Sequence, residues 1–298
     1  MRNHSPELLV AAQTELGECP VWDESRGQFY FMDIIEMKLH AFDWAKRTLS
    51  SRSLPALGGG LALARDGTLI AGLQTGVYRV QPDEAEIEFM ADPEPNKPDH
   101  RLNEMKCDPQ GRIWIGSIST LGRVPTGCLY RLDHNRTIQR ILDKVAVPNT
   151  LVWLADSEHL LFADSARKVV WRFRYEAESG SLSQREVFLD CNDYVGIPDG
   201  AALDAEGCVW IAEFGGGCVR RYDPNGRVIQ RVDLPATQVT SCGFAGPRLR
   251  ELVIITTKRL LTSEQRRQQP QSGNLFVIEP AVPGIAPFLY GRRDDSHR

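Results

Sequence analysis

Apolar and polar positions along this chain form short runs that return in a fixed order. A polar or glycine residue opens an apolar stretch, and a turn rich in Asp and Gly follows. A second apolar run comes next, then a run in which apolar and polar residues alternate. The openers are Glu18, Gly59, Asn103, Asn149, Asp199 and Thr240, spaced by roughly 40–50 residues. The first runs are Pro20–Trp22, Leu61–Leu63, Met105–Cys107, Leu151–Trp153, Ala201–Leu203 and Cys242–Phe244. The turns DESRG, ARDG, DPQG, LADSEH, DAEG and AGPRLR carry the Asp, Gly and Pro chemistry that reverses a chain between apolar segments. The alternating third runs are KLHAFD, GVYRV, CLYRLD, VVWRFRY, CVRRYD and NLFVIE. A fourth strand is expected in five units, for example over Ile229–Leu234 and Arg185–Leu189.

Four short strands per unit, repeated six times, predict an all-β fold: a six-bladed β-propeller with four-stranded antiparallel blades around a central channel. No window sustains the spacing of a helix, and no linker interrupts the repeat, so residues 1–298 read as a single domain. The Pro-containing stretch 92–98 reads as a loop between blades. The run Leu8–Ala12 precedes the first unit and is expected to pair with the last blade, closing the ring and removing exposed edges. The glycine triplets at 58–60 and 215–217 start no helix, which argues against a phosphate loop; they are expected in tight turns between blades.

Composition narrows the function classes. The chain has 42% hydrophobic and 25% charged residues, as soluble globular proteins do. A formal charge of -4 and the lack of a Lys/Arg stripe argue against nucleic acid as a partner. The segment 258–267 is expected to be a solvated loop. No apolar run approaches the roughly 18 residues of a membrane span, and the first residues have no signal-like core. Seven cysteines without a CxxC pair point to reduced thiols, hence a cytoplasmic protein. With no heptad and no large apolar face, a monomer or weak dimer is expected.

In a propeller the first strand of every blade lines the channel, so the openers converge on its mouth. Glu18, Asn149 and Asp199 then present two carboxylates and one amide carbonyl. An all-oxygen set suits a hard divalent cation: Ca²⁺ first, or Mg²⁺ or Mn²⁺. Asn103 is a further polar opener, and the forked donors of nearby Arg101 suit polyhydroxyl or anionic groups. Taken singly, each Asn or Asp is also explained as a turn residue. Their shared register, and a Glu set in the apolar context LGECPVW, favour a site. There is no GxSxG nucleophile elbow and no HExxH pair. His100 adjoins Arg101 on the expected active face. Trp22, Trp114, Trp153 and Trp210 occupy related strand positions and are expected to pack between blades.

The segments TELGECPVW, RLNEMKCDPQGRIWIGS, GIPDGAALDAEGCVWIAEFGGG and TSCGFAGPRLREL closely resemble the senescence-marker-protein/gluconolactonase, or regucalcin-like, family. The resemblance runs from about Glu15 to Leu289. It implies a six-bladed propeller with one divalent metal in the channel and hydrolysis of a small-molecule sugar lactone. Position by position, it makes Glu18, Asn149 and Asp199 the metal ligands. Asp199 is also the best candidate for catalytic base, since one carboxylate oxygen can face the metal while the other takes a proton from water. The resemblance makes Arg101 and Asn103 the substrate contacts. The chain departs from the family pattern at Cys19 and Thr150, where Gly is usual, and at Glu104, where Asp is usual. Ser119 and Thr120 stand where some relatives carry acidic residues that touch the sugar. A thiol beside Glu18 would admit Zn²⁺ or Fe²⁺ if it turned inward. Two other readings stay open: an esterase or organophosphate hydrolase on the same metal, and a non-catalytic propeller that binds calcium or proteins.

Overall fold

The short runs fold as strands, and the Asp-rich turns fold as hairpins between them. The computed structural model describes residues 5–84 and 86–292. Six four-stranded antiparallel sheets follow one another along the chain. Their innermost strands are Gly17–Asp23, Gly58–Leu63, His100–Cys107, Pro148–Trp153, Ile197–Leu203 and Val239–Ala245. Blades 1 to 5 are each built from consecutive chain. Blade 6 takes three strands from the C-terminal part and completes itself with Glu7–Val10, which pairs antiparallel with Leu275–Ile278. The N-terminal closure expected for Leu8–Ala12 is thus present, beginning one residue earlier and ending at Val10. The fourth strand is found in every blade, including the sixth.

The Asp turns work by a repeated device. In blade 3, Asp108 Oδ1 accepts from the backbone N–H of Gln110 and Arg112, while Oδ2 accepts from Trp114 Nε1 at 3.0 Å. In blade 5, Asp204 does the same for Glu206, Cys208 and Trp210. One carboxylate therefore closes the turn and anchors an indole of the next strand. Both indoles are fully buried, and the four repeat tryptophans all pack in interblade clusters.

Two glycine expectations change. Gly58–Gly60 lies inside the innermost strand of blade 2, not in a turn. A Cβ on Gly59 would stand 2.0 Å from the Leu102 carbonyl oxygen and 2.5 Å from Arg101 Nη1, so blade 3 approaches too closely for any side chain. Residues 215–217 form a hairpin turn within blade 5, with φ of +83° at Gly215 and +65° at Gly217. The segment 258–267 also holds a short exposed α-helix, Ser263–Gln268, started by a capping box from Thr262 and Gln265.

The C-terminal part then leaves blade 6 and crosses one end of the channel as a strap. Ala205 N–H donates to Pro283 O at 2.9 Å and Gly284 N–H to Leu249 O at 2.8 Å. Further along, Tyr290 N–H donates to Leu63 O and Gly291 N–H to Gly111 O. The strap thereby links blades 5, 6, 2 and 3. No helix among the described residues is long and apolar enough to cross a membrane.

Candidate active site

Each opener lies inside an innermost strand, at an interruption of its ladder. The register shifts between Glu18 and Val21, Gly58 and Gly60, Asn103 and Met105, Asn149 and Val152, Pro198 and Ala201, and Val239 and Ser241. Bulges bend a strand and re-aim its side chains. Here they repeat at one level of the ring. In three blades the residue after the opener holds a left-handed backbone without being glycine: Cys19 at φ +63°, Glu104 at +36° and Thr150 at +47°. Such a conformation costs a non-glycine residue about 1–2 kcal/mol. It accounts for glycine as the usual residue at two of these places.

Neighbouring blades are tied together at this level. Arg101 Nη1 donates to Asn103 Oδ1 at 2.8 Å, and Asn103 Nδ2 donates to Pro148 O at 2.8 Å and to Asn149 Oδ1 at 3.1 Å. Asn149 Nδ2 donates to Ser165 Oγ at 2.9 Å, and the Ser165 hydroxyl donates to Pro198 O at 2.5 Å. Because the serine spends its proton on Pro198, it accepts from Asn149. The asparagine must therefore turn its nitrogen toward Ser165 and its oxygen the other way, toward Asn103. Thr150 Oγ1 donates to Asp199 O at 2.6 Å and so fixes the next ligand candidate. These bonds carry one network from Arg101 in blade 3 through blade 4 to Asp199 in blade 5. On the far side, Thr240 is fully buried and donates to Gly17 O at 2.7 Å, bracketing Glu18. Thr240 therefore ties blade 6 to blade 1, whereas Gly59 clears space for Arg101.

The electrostatics are those of anions gathered without enough counter-charge. Asp199 is 7% exposed. Burial, then the Glu18 and Glu104 carboxylates, push its carboxyl well above the ordinary range. Burial and Glu104 do the same to Glu18, with Arg101 opposing. Glu104 is also raised by burial, and its Oε1 has no hydrogen-bond partner. Burial lowers Arg101, while Glu18 pulls it back up. Neither Glu18 nor Asp199 forms an ion pair among the described residues. Two partly or wholly buried carboxylates that repel each other, beside an amide oxygen held in place, fit a hard divalent cation. Among the described residues no group of three or more His, Cys, Asp or Glu side chains clusters to hold a metal. Cys19 does not contribute. It packs in the apolar cluster between blades 1 and 2, and burial raises its thiol well above the usual value.

His100, Ser119 and Thr120 are engaged elsewhere. His100 is buried, with Nδ1 on Glu94 at 2.8 Å and Nε2 on Thr126 at 3.0 Å. Ser119 Oγ accepts from Leu121 N–H, and Thr120 donates to Asp99 O. These residues set the loops beside the mouth. Sequence reasoning missed Ser165 and the roles of Thr150 and Gly59. Ser165 has no signal within its own repeat, since its partners lie on two different strands.

Comparison with known proteins adds an independent line. Residues 16–258 match the family described as the SMP-30/Gluconolactonase/LRE-like region. The chain belongs to this family. It is 32% identical to the putative sugar lactone lactonase YvrE of Bacillus subtilis, covering 95% of this chain and 98% of that one. It is 31% identical to a 6-deoxy-6-sulfogluconolactonase of Pseudomonas putida, covering 97% and 99%. Among solved structures it resembles a calcium-binding protein, regucalcin, of Agrobacterium tumefaciens, with a TM-score of 0.93 and 27% identity over 97% and 98% of the two chains. With lactonases matched along their whole length, this member of the family is a hydrolase of carboxylic ester bonds.

Proposed function

We propose that this protein is a metal-dependent sugar lactonase that opens an aldono-lactone to its aldonic acid at the channel mouth. The observation that carries the proposal is the convergence of Glu18, Asn149 and Asp199, from three blades, beside Arg101 and Asn103. Glu18, Asn149 and Asp199 would hold one divalent cation, Ca²⁺ before Mg²⁺, Mn²⁺, Zn²⁺ or Fe²⁺ because all the donors are oxygen. When bound, that cation supplies a Lewis acid for the lactone carbonyl and neutralises the crowded carboxylates.

The other tasks fall to the side chains. Asp199 takes a proton from the water that adds to the carbonyl carbon. The ring C–O bond then breaks, and the proton passes to the departing ring oxygen, leaving a hydroxy acid. The Arg101 guanidinium offers its remaining N–H groups to sugar hydroxyls. Both N–H groups of Asn103 are already spent on Pro148 and Asn149. Asn103 therefore positions Arg101 and Asn149, and keeps a lone pair of Oδ1 for a hydroxyl. In this reading residues 1–298 act as one domain on a small molecule, as a monomer or weak dimer, and the seven free, buried cysteines suit the cytoplasm.

The test is hydrolysis of gluconolactone, xylonolactone, arabinonolactone and galactonolactone after exhaustive chelation and re-addition of each cation. Activity should vanish with chelator, return with at least one cation, and fall at least a hundredfold in Asp199→Asn. Full activity after chelation would overturn the metal role, and a near-normal rate in Asp199→Asn would overturn the base assignment.

A further inference from the structure

The rim of the channel is uneven. The second strand of each blade returns to the level of the openers; Ser119 pairs with His100, and Thr256 with Val239. The hairpins that follow these strands therefore stand around the mouth. In blades 1, 2, 4 and 5 they are short, over residues 34–37, 74–75, 165–168 and 215–217. In blades 3 and 6 they are long, over residues 120–126 and 257–274. The innermost strands touch in chain order, the last against the first, so blades 3 and 6 face each other across the ring.

Both long hairpins are tied down at their roots. Thr120 N–H donates to Asp99 O at 2.8 Å, and Lys97 Nζ donates to Thr126 O at 3.0 Å. Thr257 N–H donates to Gln238 O at 3.0 Å, and Arg259 N–H to Thr257 Oγ1 at 3.1 Å. Arg266 and Arg267 of the second hairpin pair with Glu15 and Glu264. By contrast, the exposed Arg123 and Arg259 side chains have no ion pair or hydrogen bond among the described residues. Each is felt across the channel. The Arg123 charge partly offsets the rise of the Asp199 carboxyl in blade 5, and the Arg259 charge opposes that of Arg101 in the facing blade. Charges more than about 10 Å apart in water are largely screened, so both guanidiniums lean over the mouth. The charges there do not cancel. One divalent cation would neutralise Glu18 and Asp199, and the Lys106 charge offsets Glu104. Arg101, Arg123 and Arg259 remain, and no acidic side chain lies within residues 120–126 or 257–262. A neutral sugar would balance none of them.

We propose that the preferred substrate is an acidic lactone, with a carboxylate or phosphate at the far end of its carbon chain held by Arg123 and Arg259. This rests on the lactonase reading and names the substrate class within it. A lactone whose carbonyl lies at Glu18, Asn149 and Asp199 turns its other end outward to the rim. There the forked donors of arginine match the paired oxygens of a terminal oxyanion. Arg101, buried below them, is left for the hydroxyls between the two ends.

Steady-state kinetics on the full chain, with the cation that restores activity, test it. The substrates are gluconolactone, its 6-phosphate and glucarolactone, which end in a hydroxymethyl, a phosphate and a carboxylate and so tell the two anions apart. At least one acidic lactone should have a KM lower than that of gluconolactone by about tenfold or more. Arg123→Met and Arg259→Met should each shrink that ratio, the double variant should erase it, and raising the ionic strength should weaken it. A second readout needs no turnover: calorimetric titration with glucitol 6-phosphate against glucitol should show the same preference and the same loss in the double variant. Equal KM for all three lactones would overturn the proposal while leaving the lactonase reading intact. A preference that survives in the double variant would remove the two arginines from it. If no lactone is hydrolysed, the lactonase reading fails by itself. The titration then decides the rim, and equal binding of glucitol and its phosphate overturns the anion site as well.

Discussion

Replacing Ser165 by Ala removes a fully buried hydroxyl, yet it should cripple the proposed cation site. Ser165 is fully buried and makes two bonds, accepting from Asn149 Nδ2 at 2.9 Å and donating to Pro198 O at 2.5 Å. Alanine leaves a buried amide N–H and a buried carbonyl unpaired. Each orphan costs about 1–3 kcal/mol, so the sum is about 2–6 kcal/mol if neither finds water. At about 2 °C per kcal/mol for a domain of this size, the melting temperature should fall by about 4–12 °C. The second effect is specific. Without the serine lone pair, the Asn149 nitrogen loses its acceptor, and only the 3.1 Å bond from Asn103 Nδ2 to Oδ1 still orients the amide. Loss of such an orienting partner typically weakens metal affinity by about 10–100-fold. Two measurements separate these effects: a chemical melt in chelator, and calorimetric titration with Ca²⁺. A stability loss with unchanged Ca²⁺ affinity would refute the argument that Ser165 sets the Asn149 carbonyl. An unchanged stability would refute the hydrogen-bond count itself.

Other substitutions follow from the same geometry. Gly59→Ala should raise KM by about tenfold or more while leaving Ca²⁺ affinity near wild type, because its Cβ would collide with Arg101 Nη1 at 2.5 Å and with the Leu102 carbonyl; steady-state kinetics on a lactone read it. Thr150→Val should be less stable than Thr150→Gly in denaturant melts, since both lose the bond to Asp199 O but only Val keeps a β-branched side chain at φ +47°. Glu18 and Asp199 have carboxyls raised by burial, Glu18 further by Glu104 and Asp199 further by Glu18 and Glu104, so the unfolded chain ionises before the folded one. The cation-free protein should therefore lose stability as pH rises from the ordinary carboxylate range toward those raised values, and saturating Ca²⁺ should remove the loss. Glu18→Gln should melt higher than wild type in chelator and show no cation-induced rise, by scanning fluorimetry.

The ring was legible in the sequence because each blade repeats the same opener, turn and alternating run, and because turn aspartates such as Asp108 and Asp204 serve local geometry. Glu18, Asn149 and Asp199 stood out for the same reason: a repeat assigns equivalent positions to one level. What the sequence did not show is what lies between repeats. Ser165 orients a residue of its own blade by bonding to the next. Gly59 is glycine because of the Leu102 carbonyl and Arg101 in the adjacent blade, not because of its own backbone. The glycine triplet at 58–60 lies in a strand and not in the expected turn, since composition cannot distinguish a tight bend from a close approach. The strap over residues 283–291 has no periodicity, as its partners are carbonyl and amide groups scattered over four blades.

The closure of blade 6 has a consequence for how the chain is made. Glu7–Val10 leaves the ribosome before the other strands of the ring, and its partner Leu275–Ile278 after them. Blades 1 to 5 can form during synthesis, but until the final strand emerges the ring has two raw edges. Joining ends so far apart is not costly at equilibrium, since each doubling of a loop adds only about 0.6 kcal/mol. The delay is kinetic, and it falls on an intermediate with unpaired strands exposed to other chains. Once shut, the same four-residue strand becomes the latch: unfolding must first pull Glu7–Val10 from its neighbour or break a blade from within.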